Sequence, residues 1–597
     1  MPSATTLPVG EELLEPLRRT FRWLVGLRGA DGRIVCPWHG VEHTGSNAGV
    51  IVLACEMLAH DPAADAELLR REARLEARRL CANLVREGTS ACHTFRPGRH
   101  DPFNCSNSVI DGGAATDALS QFVRALGPEL EPAERERCKD AALLHARTYL
   151  RYAVLDKGIP AQRAWGLAGV AGAWALERDD ELERAALEAV GVLEGIQHAD
   201  GSYPYHPIEW GAEHAGASDV SSFYQSRVTA FLFRALRDLG RDPAHAIFAP
   251  QLARGLDFAR ALQGPDGLKC GLVEAKPWYW GDAHEVASHP FDVYAFAGGA
   301  RALGRGGDGL AALCAFRAWA ERLAPDGRPR DHVARDGARA SYQCPVFWAG
   351  HAAWIARALP ELERARAADA RDSARPATTG SGAGIDLALR WFPNAQLGRL
   401  EDGRVVAWVR GARPASNVNH GSPRGAGLVR VFDKRAGKDA LRRERFDPAG
   451  EAEWTARGPR SFARGWRSGA SELRFSLWTA RVHARAGRVG AALAEPWRAL
   501  REGVFEYADG RVASSFALTT EVDVGAFELA LAGPLAWRDG TSVPGSRVER
   551  RFAVDGDGLE VTERVLDHGT LRGLDYALPA AARAVERGPA SVRWRLP

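Results

Sequence analysis

The hydrophobic period of this 597-residue chain changes near residue 370, and that change constrains the fold most. Before it, apolar residues recur at helical spacing over long segments. After it, short stretches alternate apolar and polar residues between Gly, Asp and Pro turns, as in GRVVAWVRG, GLVRVFD, LRFSLWTARVHA and LEVTERVLD. The sequence therefore predicts an all-α domain over 1–365, a linker over 366–384 and an all-β antiparallel sandwich domain over 385–597.

The first half contains about twelve segments of helical periodicity. We expect helices near 11–27, 46–60, 65–86, 111–126, 132–154, 161–177, 181–197, 220–239, 247–262, 289–303, 309–323 and 346–358. The loops from odd to even helices are mostly long, at about 28–45, 87–110, 198–219, 263–288 and 324–345, whereas the return loops are short. In an up-down array of helices, all the long loops lie at one rim. Long loops on a rigid scaffold are where function tends to be located.

Four helix ends of the first half run into an Asp-Gly turn, in LRGADGR, IQHADGS, LQGPDGL and LAPDGRP. Glycine supplies the positive φ that such a turn needs. All four turns follow odd-numbered helices, so all four belong to the rim with the long loops. Six helix pairs with one elaborate rim predict an (α/α)6 toroid, and an irregular solenoid of helix pairs is the alternative. AWGLAGVAGAWAL at 164–176 is apolar on nearly every side, which predicts an inner helix.

The composition is that of a soluble globular protein, with 46% hydrophobic and 26% charged residues. A net charge of +3 argues against a dedicated nucleic-acid-binding protein. The nine Cys are odd in number and include no CxxC pair, so neither a disulfide framework nor a zinc ribbon is expected. No leader pattern and no stretch of the roughly 18 apolar residues that span a bilayer are seen. We therefore expect a cytoplasmic protein without nucleic-acid or membrane partners.

The long rim loops are rich in His and in aromatic residues. Nine of the fourteen His of the helical half fall within them, and they include CPWH, FNCSN and KPWYWGD. Aromatic rings stack on pyranose faces while amides and imidazoles bond to hydroxyls, so this pattern indicates a sugar-binding cleft. The candidate substrate-binding residues in these loops are Trp38, His39, Tyr205, Trp278, Trp280 and His284.

Tyr224 and Arg227 lie close together at the predicted start of helix eight. The helix is expected to begin after Ser218, a good N-cap residue, so Tyr224 lies in the first turns and Arg227 about one turn further on. A guanidinium near a phenol favours the phenolate and so lowers the pKa of the phenol. On spacing alone, a core aromatic with a satisfied hydroxyl is the simpler interpretation of Tyr224.

The sequence resembles the polysaccharide lyases that combine a toroid with a β-sandwich, broadly the heparinase II/III-like, alginate-lyase-like and chondroitin/hyaluronate-lyase-like families. DGSYPYH at 200–206 matches the DGSFxxH stretch of the chondroitin/hyaluronate type and places His206 on its catalytic His. SSFYQSR at 221–227 is similar to the Ser-x-x-Tyr helix start of the heparinase-like type and nominates Tyr224 as the catalytic Tyr. The Asn that neutralises the substrate carboxylate in these families has Asn104 and Asn107 as positional candidates here. The resemblance covers essentially the whole chain.

The resemblance implies β-elimination across the C4–O4 bond of a uronate in an acidic polysaccharide or oligosaccharide, without a cofactor. An Asn or an Arg neutralises the carboxylate, a base removes the C5 proton and an acid protonates O4. Tyr224 is then the acid, or both acid and base, and His206 is the base or a carboxylate partner. Arg227 lowers the pKa of Tyr224 or binds the acidic substrate. Further anionic subsites are expected at Arg96, Arg99 and Arg163.

One loop of the β-half is unusual, NVNHGSPRGAGLVRVFD at 417–433. In related folds such a loop leans over the toroid cleft, so the resemblance makes Asn419, His420 and Arg424 secondary substrate-binding candidates. A Gly-rich turn between strands is the alternative interpretation.

A possible metal site, one enzymatic alternative and one non-enzymatic alternative remain open from the sequence. A divalent-metal site has ligands enough in GDAHEVASHPFD, but without an HExxH motif no metal is expected. A toroid glycoside hydrolase, for example one acting on unsaturated uronides, needs paired carboxylates. A glycan-binding protein that has lost catalysis is the third alternative. The metal-ligand candidates are Asp282, His284, Glu285, His289 and Asp292, and the carboxylate candidates are Asp111, Asp117, Glu209, Glu213, Asp219 and Asp282.

Overall fold

The structure is a computed structural model, and it combines a helical part with a later part built mainly of antiparallel strands. The helices are α1 Glu11–Gly26, α2 Thr44–His60, α3 Ala66–Ala82, α4 Ser106–Leu126, α5 Pro132–His145, α6 Arg151–Asp156, α7 Pro160–Leu176, α8 Asp180–Ile196, α9 Ser222–Asp238, α10 Ala249–Leu262, α11 His289–Ala302, α12 Gly306–Ala320, α13 Pro345–Gly350, α14 Ala352–Ala356, α15 Leu359–Ala374, α16 Phe462–Arg485 and α17 Val489–Leu500. The described residues are 9–37, 42–87, 90–93, 106–156, 158–204, 220, 222–270, 288–329, 345–374, 388–411, 426–442, 452–485, 487–505, 508, 510–516, 519–537 and 541–596.

Six inner helical segments form a closed ring. Each of α2, α4, α7, α9 and α11 packs on the next, α11 packs on α14, and both α13 and α14 pack back on α2. Helices α1, α3, α5, α6, α8, α10, α12 and α15 lie outside this ring. The inner helix α7 is buried over nearly its whole length, as its apolar sequence predicts. The predicted (α/α)6 toroid is therefore confirmed, and ring closure excludes the open solenoid.

All twelve predicted helices are present, with small differences at their ends. α4 begins at Ser106 rather than near 111, and α5 continues through a π-helical turn at Ala146–Leu150 into α6. Helix α15 was not predicted, and its last turns occupy the start of the expected linker at 366–384. The bounds of the three predicted segments, 1–365, 366–384 and 385–597, stay predictions.

The four Asp-Gly turns share one geometry. Their glycines have positive φ, from 77° to 87°, and in each turn the Asp carboxylate accepts the N–H two residues ahead. Three of the glycines lie directly on the backbone of the next outer helix: Gly201 on α10, Gly267 on α12 and Gly327 on α1. The repeat therefore joins successive outer helices, and the last turn closes the outer layer onto α1.

Replacing Gly201 with Ala is expected to lower the thermal midpoint far more than replacing Gly32 with Ala. Both glycines have positive φ, 87° and 77°, so both substitutions carry a backbone cost of about 1 kcal/mol. Only at Gly201 does the added Cβ meet an obstacle, the Arg254 carbonyl oxygen at 2.1 Å, whereas nothing lies within 4 Å at Gly32. Calorimetry of the two variants measures the difference, and equal midpoints would contradict the packing role of the turn.

The strands are β1 Leu84–Glu87, β2 Ser90–His93, β3 Ala388–Phe392, β4 Leu397–Glu401, β5 Val405–Arg410, β6 Gly427–Asp433, β7 Lys438–Arg442, β8 Glu453–Arg457, β9 Arg511–Ala513, β10 Glu521–Val524, β11 Glu528–Gly533, β12 Ala536–Trp537, β13 Ser546–Val554, β14 Leu559–His568, β15 Arg572–Ala577, β16 Arg583–Arg587 and β17 Ser591–Leu596. The described residues of the second half form three antiparallel sheets. One has the order β3-β4-β5-β6-β7, one β10-β11-β13-β14-β17-β16, and one β12-β9-β8-β15. The helical half also contains one short antiparallel pair, β1 with β2.

One predicted strand is wrong. LRFSLWTARVHA, at 473–484, lies within the long helix α16, and α17 follows it. Leu473, Phe475 and Leu477 alternate as a strand would, but Leu473 and Leu477 also have the four-residue spacing of a helix. The Ala, Arg and Leu residues of this stretch have good helix propensity, and that preference prevails here.

The sheet β3–β7 docks on the rim of the toroid. Phe392, Trp408 and Phe432 form a buried cluster with residues of α10 and with Cys270. The Trp408 indole donates to the carbonyl oxygen of Ala261 at 2.7 Å. The docked sheet therefore covers the rim beside the Asp-Gly turns that follow α8 and α10.

Two of the Asp-Gly turns take part in this docking. Asp200 accepts the backbone N–H groups of Asn394 at 2.8 Å and Ala395 at 3.1 Å through its second carboxylate oxygen. Asp266 pairs with the fully buried Arg430 at 2.5 Å. The repeated turn thus has a second role at these two positions, which its sequence does not distinguish from the other two.

Candidate functional site

The centre of the toroid is filled by six rings from the inner helices, which we call the aromatic floor. Their centroids lie 4.4–6.3 Å apart in the contacting pairs, with edge-to-face and tilted geometries that aromatic rings prefer. The floor gives the rim end of the toroid a rigid base. Its members are Trp165, Phe231, Phe291, Phe347, His351 and Trp354.

Arg227 places a positive charge against this floor. Its side chain is buried, and its guanidinium carbon lies 5.0 Å from the Trp165 ring, 4.9 Å from Phe291 and 3.9 Å from Phe223. The faces of aromatic rings attract a cation, and a guanidinium stays charged at any ordinary pH. The guanidinium of Arg227 is therefore held among the rings of α7, α9 and α11.

Tyr224 lies at the start of α9, beside that charge. The helix begins at Ser222, so the expected start after Ser218 is wrong, but Tyr224 is in the first turn as predicted. Its ring is half-buried, contacts Phe223 edge-to-face at 5.1 Å, and lies 5.7 Å from the Arg227 guanidinium carbon. A fully buried tyrosine would match the simpler core interpretation, whereas this one retains access to solvent. The lowering of its pKa by Arg227 stays a prediction.

Tyr203, from the same aromatic-rich stretch, behaves as a core residue. It is buried, its hydroxyl accepts a hydrogen bond from Gln251 at 3.0 Å, and burial raises its pKa. Its backbone N–H donates to Gln225 at 2.9 Å, and Gln225 donates to the Gly201 carbonyl at 3.0 Å. The neighbour of Tyr224 on α9 therefore fixes the Asp-Gly turn to the helix that carries Tyr224.

A buried lysine anchors the same end of α9. Lys269 donates to the Ser222 carbonyl at 3.1 Å, to the Ser226 hydroxyl at 2.7 Å and to the Ser288 hydroxyl at 2.6 Å, and it pairs with Asp292 at 2.9 Å. We call these five residues the Lys269 cluster. The cluster connects the Asp-Gly loop after α10 to the starts of α9 and α11, and the first turn of α9 also contains Tyr224.

The charge balance of the Lys269 cluster is set by burial. Burial raises the pKa of Asp292, while Lys269 and a hydrogen bond from Ser226 act in the opposite direction. Lys269 was not singled out from the sequence. A signal existed, because the chain has only six Lys among its 78 Lys and Arg residues, and two of the six, Lys269 and Lys276, lie in the predicted rim loop 263–288.

Two other sequence-based candidates fall within the described residues. Arg163, in the first turn of α7, is buried and donates to the Val154 carbonyl, so its position gives no support to the predicted anionic subsite. Asn107 lies in the first turn of α4, and its side chain is not described. The remaining candidates lie outside the described residues: Trp38, His39, Arg96, Arg99, Asn104, Tyr205, His206, Trp278, Trp280, His284, Asn419, His420 and Arg424.

The alternatives based on carboxylates and metals gain no support from the described residues. Asp117 is buried between Arg234 at 2.9 Å and Arg357 at 2.8 Å. Burial raises the pKa of Asp117, but the two arginines outweigh it and hold that pKa below its ordinary value, which is unsuitable for a general acid. Asp111 is buried, and Asp292 forms an ion pair with Lys269.

Within the described ranges, no three His, Cys, Asp or Glu side chains are grouped so as to hold a metal. Glu209, Glu213, Asp219, Asp282 and Glu285 lie outside those ranges.

No protein-family model matches the chain, and no curated protein matches it. Among solved structures, the chain is similar to a chondroitin AC lyase from Streptomyces coelicolor A3, at 14% identity and TM-score 0.49 over 100% of this chain and 77% of that one. It is also similar to a glycosyl hydrolase family 88 protein from Bacteroides vulgatus, at 14% identity and TM-score 0.40 over 60% of this chain and 99% of that one. A cellobiose 2-epimerase from Spirochaeta thermophila shows 12% identity and TM-score 0.43 over 60% and 96%. None of these likenesses identifies a substrate for this chain.

Proposed function

We propose that the protein is a polysaccharide lyase that cleaves a uronate-containing acidic glycan by β-elimination. One observation carries the proposal. A half-buried tyrosine, Tyr224, lies at the rim end of a closed toroid with the buried guanidinium carbon of Arg227 5.7 Å from its ring. The fold and the motifs that resemble toroid lyases support it.

The pair suits the proton transfers of an elimination. A positive charge near a phenol stabilises its phenolate, so Tyr224 can remove the C5 proton of a uronate at neutral pH. The electron pair of the former C5–H bond forms the C4–C5 double bond, the C4–O4 bond breaks with its pair on O4, and the tyrosine that has just gained a proton can return it to O4. One residue thereby serves as base and then as acid, and the protons balance.

Arg227 has a second effect on an acidic substrate. Its guanidinium lies among the rings of Trp165, Phe223 and Phe291, where surrounding apolar groups keep the local dielectric low. A uronate carboxylate at the rim is therefore attracted towards the toroid axis. The proposal also includes two further roles. Asn104 or Asn107 neutralises that carboxylate, and His206 acts as the base or as a carboxylate partner.

An absorbance screen tests the proposal. The purified protein is incubated with alginate, heparan, chondroitin, hyaluronan, pectate and ulvan, and both ultraviolet absorbance and new reducing ends are followed. A lyase produces one conjugated double bond per new reducing end. Reducing ends without absorbance would show a hydrolase, and glycan binding without either product would show a binding protein. Each of these two results would overturn the lyase proposal.

A further inference from the structure

The β-half contains a helical hairpin with an exposed apolar surface. Helices α16 and α17 and the π-helical turn at Arg501–Phe505 are inserted between β8 and β9. They pack extensively on one another and only sparsely on other described elements, so the hairpin projects from the β-half. In the described residues, no helix is both long and apolar enough to cross a bilayer.

Seven large apolar side chains of the hairpin are exposed, and we call them the apolar hairpin face. Their exposed fractions are 47–75%, and they are seven of the fifteen large hydrophobic residues that are exposed in the described part of the chain. They fall within 44 residues, which is a concentration that solvated surfaces rarely show. The members are Phe462, Trp466, Leu477, Val489, Leu493, Trp497 and Phe505.

The spacing of these residues shows that each helix directs an apolar stripe outwards. On α16, Phe462 and Trp466 are four residues apart, and Leu477 falls on the same side eleven residues later. On α17, Val489, Leu493 and Trp497 repeat every four residues. A helix packed against a core has its apolar stripe buried, so these stripes are placed for contact with something outside the described fold.

The hairpin is also strongly basic. Residues 462–505 contain eight Arg and three Glu, a net charge of +5, whereas the whole chain has +3. Arg481, Arg485, Arg488 and Arg501 are exposed. An apolar stripe with Trp and Leu, flanked by Arg, is the composition of a helix that lies in the interface of an anionic bilayer.

We propose that the apolar hairpin face binds the surface of an anionic lipid membrane. The seven side chains enter the headgroup boundary, and the surrounding arginines contact lipid phosphates. This proposal departs from the expectation of no membrane partner, which considered only segments that span a bilayer. A second copy of the chain fits less well because its hairpin would bring a second charge of +5 to the same contact. Nucleic acid or acidic glycan would match the charge but would leave Val489 and Leu493 without apolar partners.

Vesicle sedimentation of the full-length protein tests this inference. We expect binding to phosphatidylcholine vesicles that contain phosphatidylglycerol, weaker binding to phosphatidylcholine alone, and loss of binding as salt is raised. The double variant Leu493→Ser with Trp497→Ala should bind the anionic vesicles at least about tenfold more weakly. The matched control is Ile247→Ser with Leu566→Ser, which removes two equally exposed apolar residues elsewhere and should bind as the unchanged protein does.

Three results would overturn the membrane assignment. The unchanged protein fails to bind anionic vesicles, or the hairpin variant binds them as tightly as the control, or the variant changes self-association or retention on acidic polysaccharide and leaves vesicle binding intact. Cleavage of soluble glycan by the hairpin variant should equal that of the control. Failure of the lyase proposal would leave the vesicle result unaffected, so the two are tested separately.

Discussion

Replacement of Tyr224 with Phe is expected to reduce formation of the unsaturated product by about 10²–10⁴-fold. The substitution removes only the hydroxyl, and with it the group proposed to take the C5 proton and return it to O4. The ring contact with Phe223 and the cation–π contact with Arg227 are retained, so folding and glycan affinity should change little. The measurement is the initial rate of ultraviolet absorbance on the substrate that the screen identifies, with KM determined for both proteins.

A second tyrosine provides a matched control. Tyr152 also lies beside an arginine, with the Arg151 guanidinium carbon 4.6 Å from its ring, but it is exposed on α6 in the outer layer. Tyr152→Phe should therefore leave the rate unchanged. Full activity of Tyr224→Phe would show that the hydroxyl has no role in the reaction, and a loss only through a raised KM would make Tyr224 a binding residue. In either case the acid and base would have to be sought elsewhere on the rim.

The helical scaffold was largely predictable because its determinants are local. The apolar residues of each inner helix, such as α7, are visible in its own sequence, and each Asp-Gly pair predicts a positive φ at its glycine. The order of long and short loops then places Tyr224 at the rim with the long loops. The alternation in 473–484 predicts a strand, but the same residues fit a helix, and helix propensity together with the packing of α16 on α17 favours the helix.

The contacts that hold the site in place were not predictable because they join residues far apart in the chain. Asp200 bonds to the backbone of Asn394 and Ala395, although its turn looks the same as three others. Gln225 on α9 donates to the Gly201 carbonyl, and Lys269, from the loop after α10, donates to the Ser222 carbonyl at the start of α9. A single sequence indicates which side chains have suitable chemistry, and the tertiary contacts decide which of them are held rigidly enough to use it.

Replacement of Lys269 with Met is expected to destabilise the folded toroid by about 3–5 kcal/mol near neutral pH. The change leaves the Asp292 carboxylate buried without its cation and removes three hydrogen bonds to Ser222, Ser226 and Ser288. Chemical unfolding followed by the helical circular dichroism signal measures the loss. The control is Lys438→Met on the exposed end of β7, which should change stability by less than about 0.5 kcal/mol.

The pH dependence separates this electrostatic origin from simple loss of packing. Burial already raises the pKa of Asp292 in the folded protein, and without Lys269 that pKa rises further. A carboxyl whose pKa is raised on folding binds its proton more tightly when folded, so stability falls as pH rises through that pKa. The deficit of Lys269→Met should therefore be largest at about pH 8 and should shrink towards about pH 5 as Asp292 takes up a proton. Adding Asp292→Asn should recover part of the loss at high pH, and a deficit that stayed constant or grew on acidification would assign Lys269 a packing role alone.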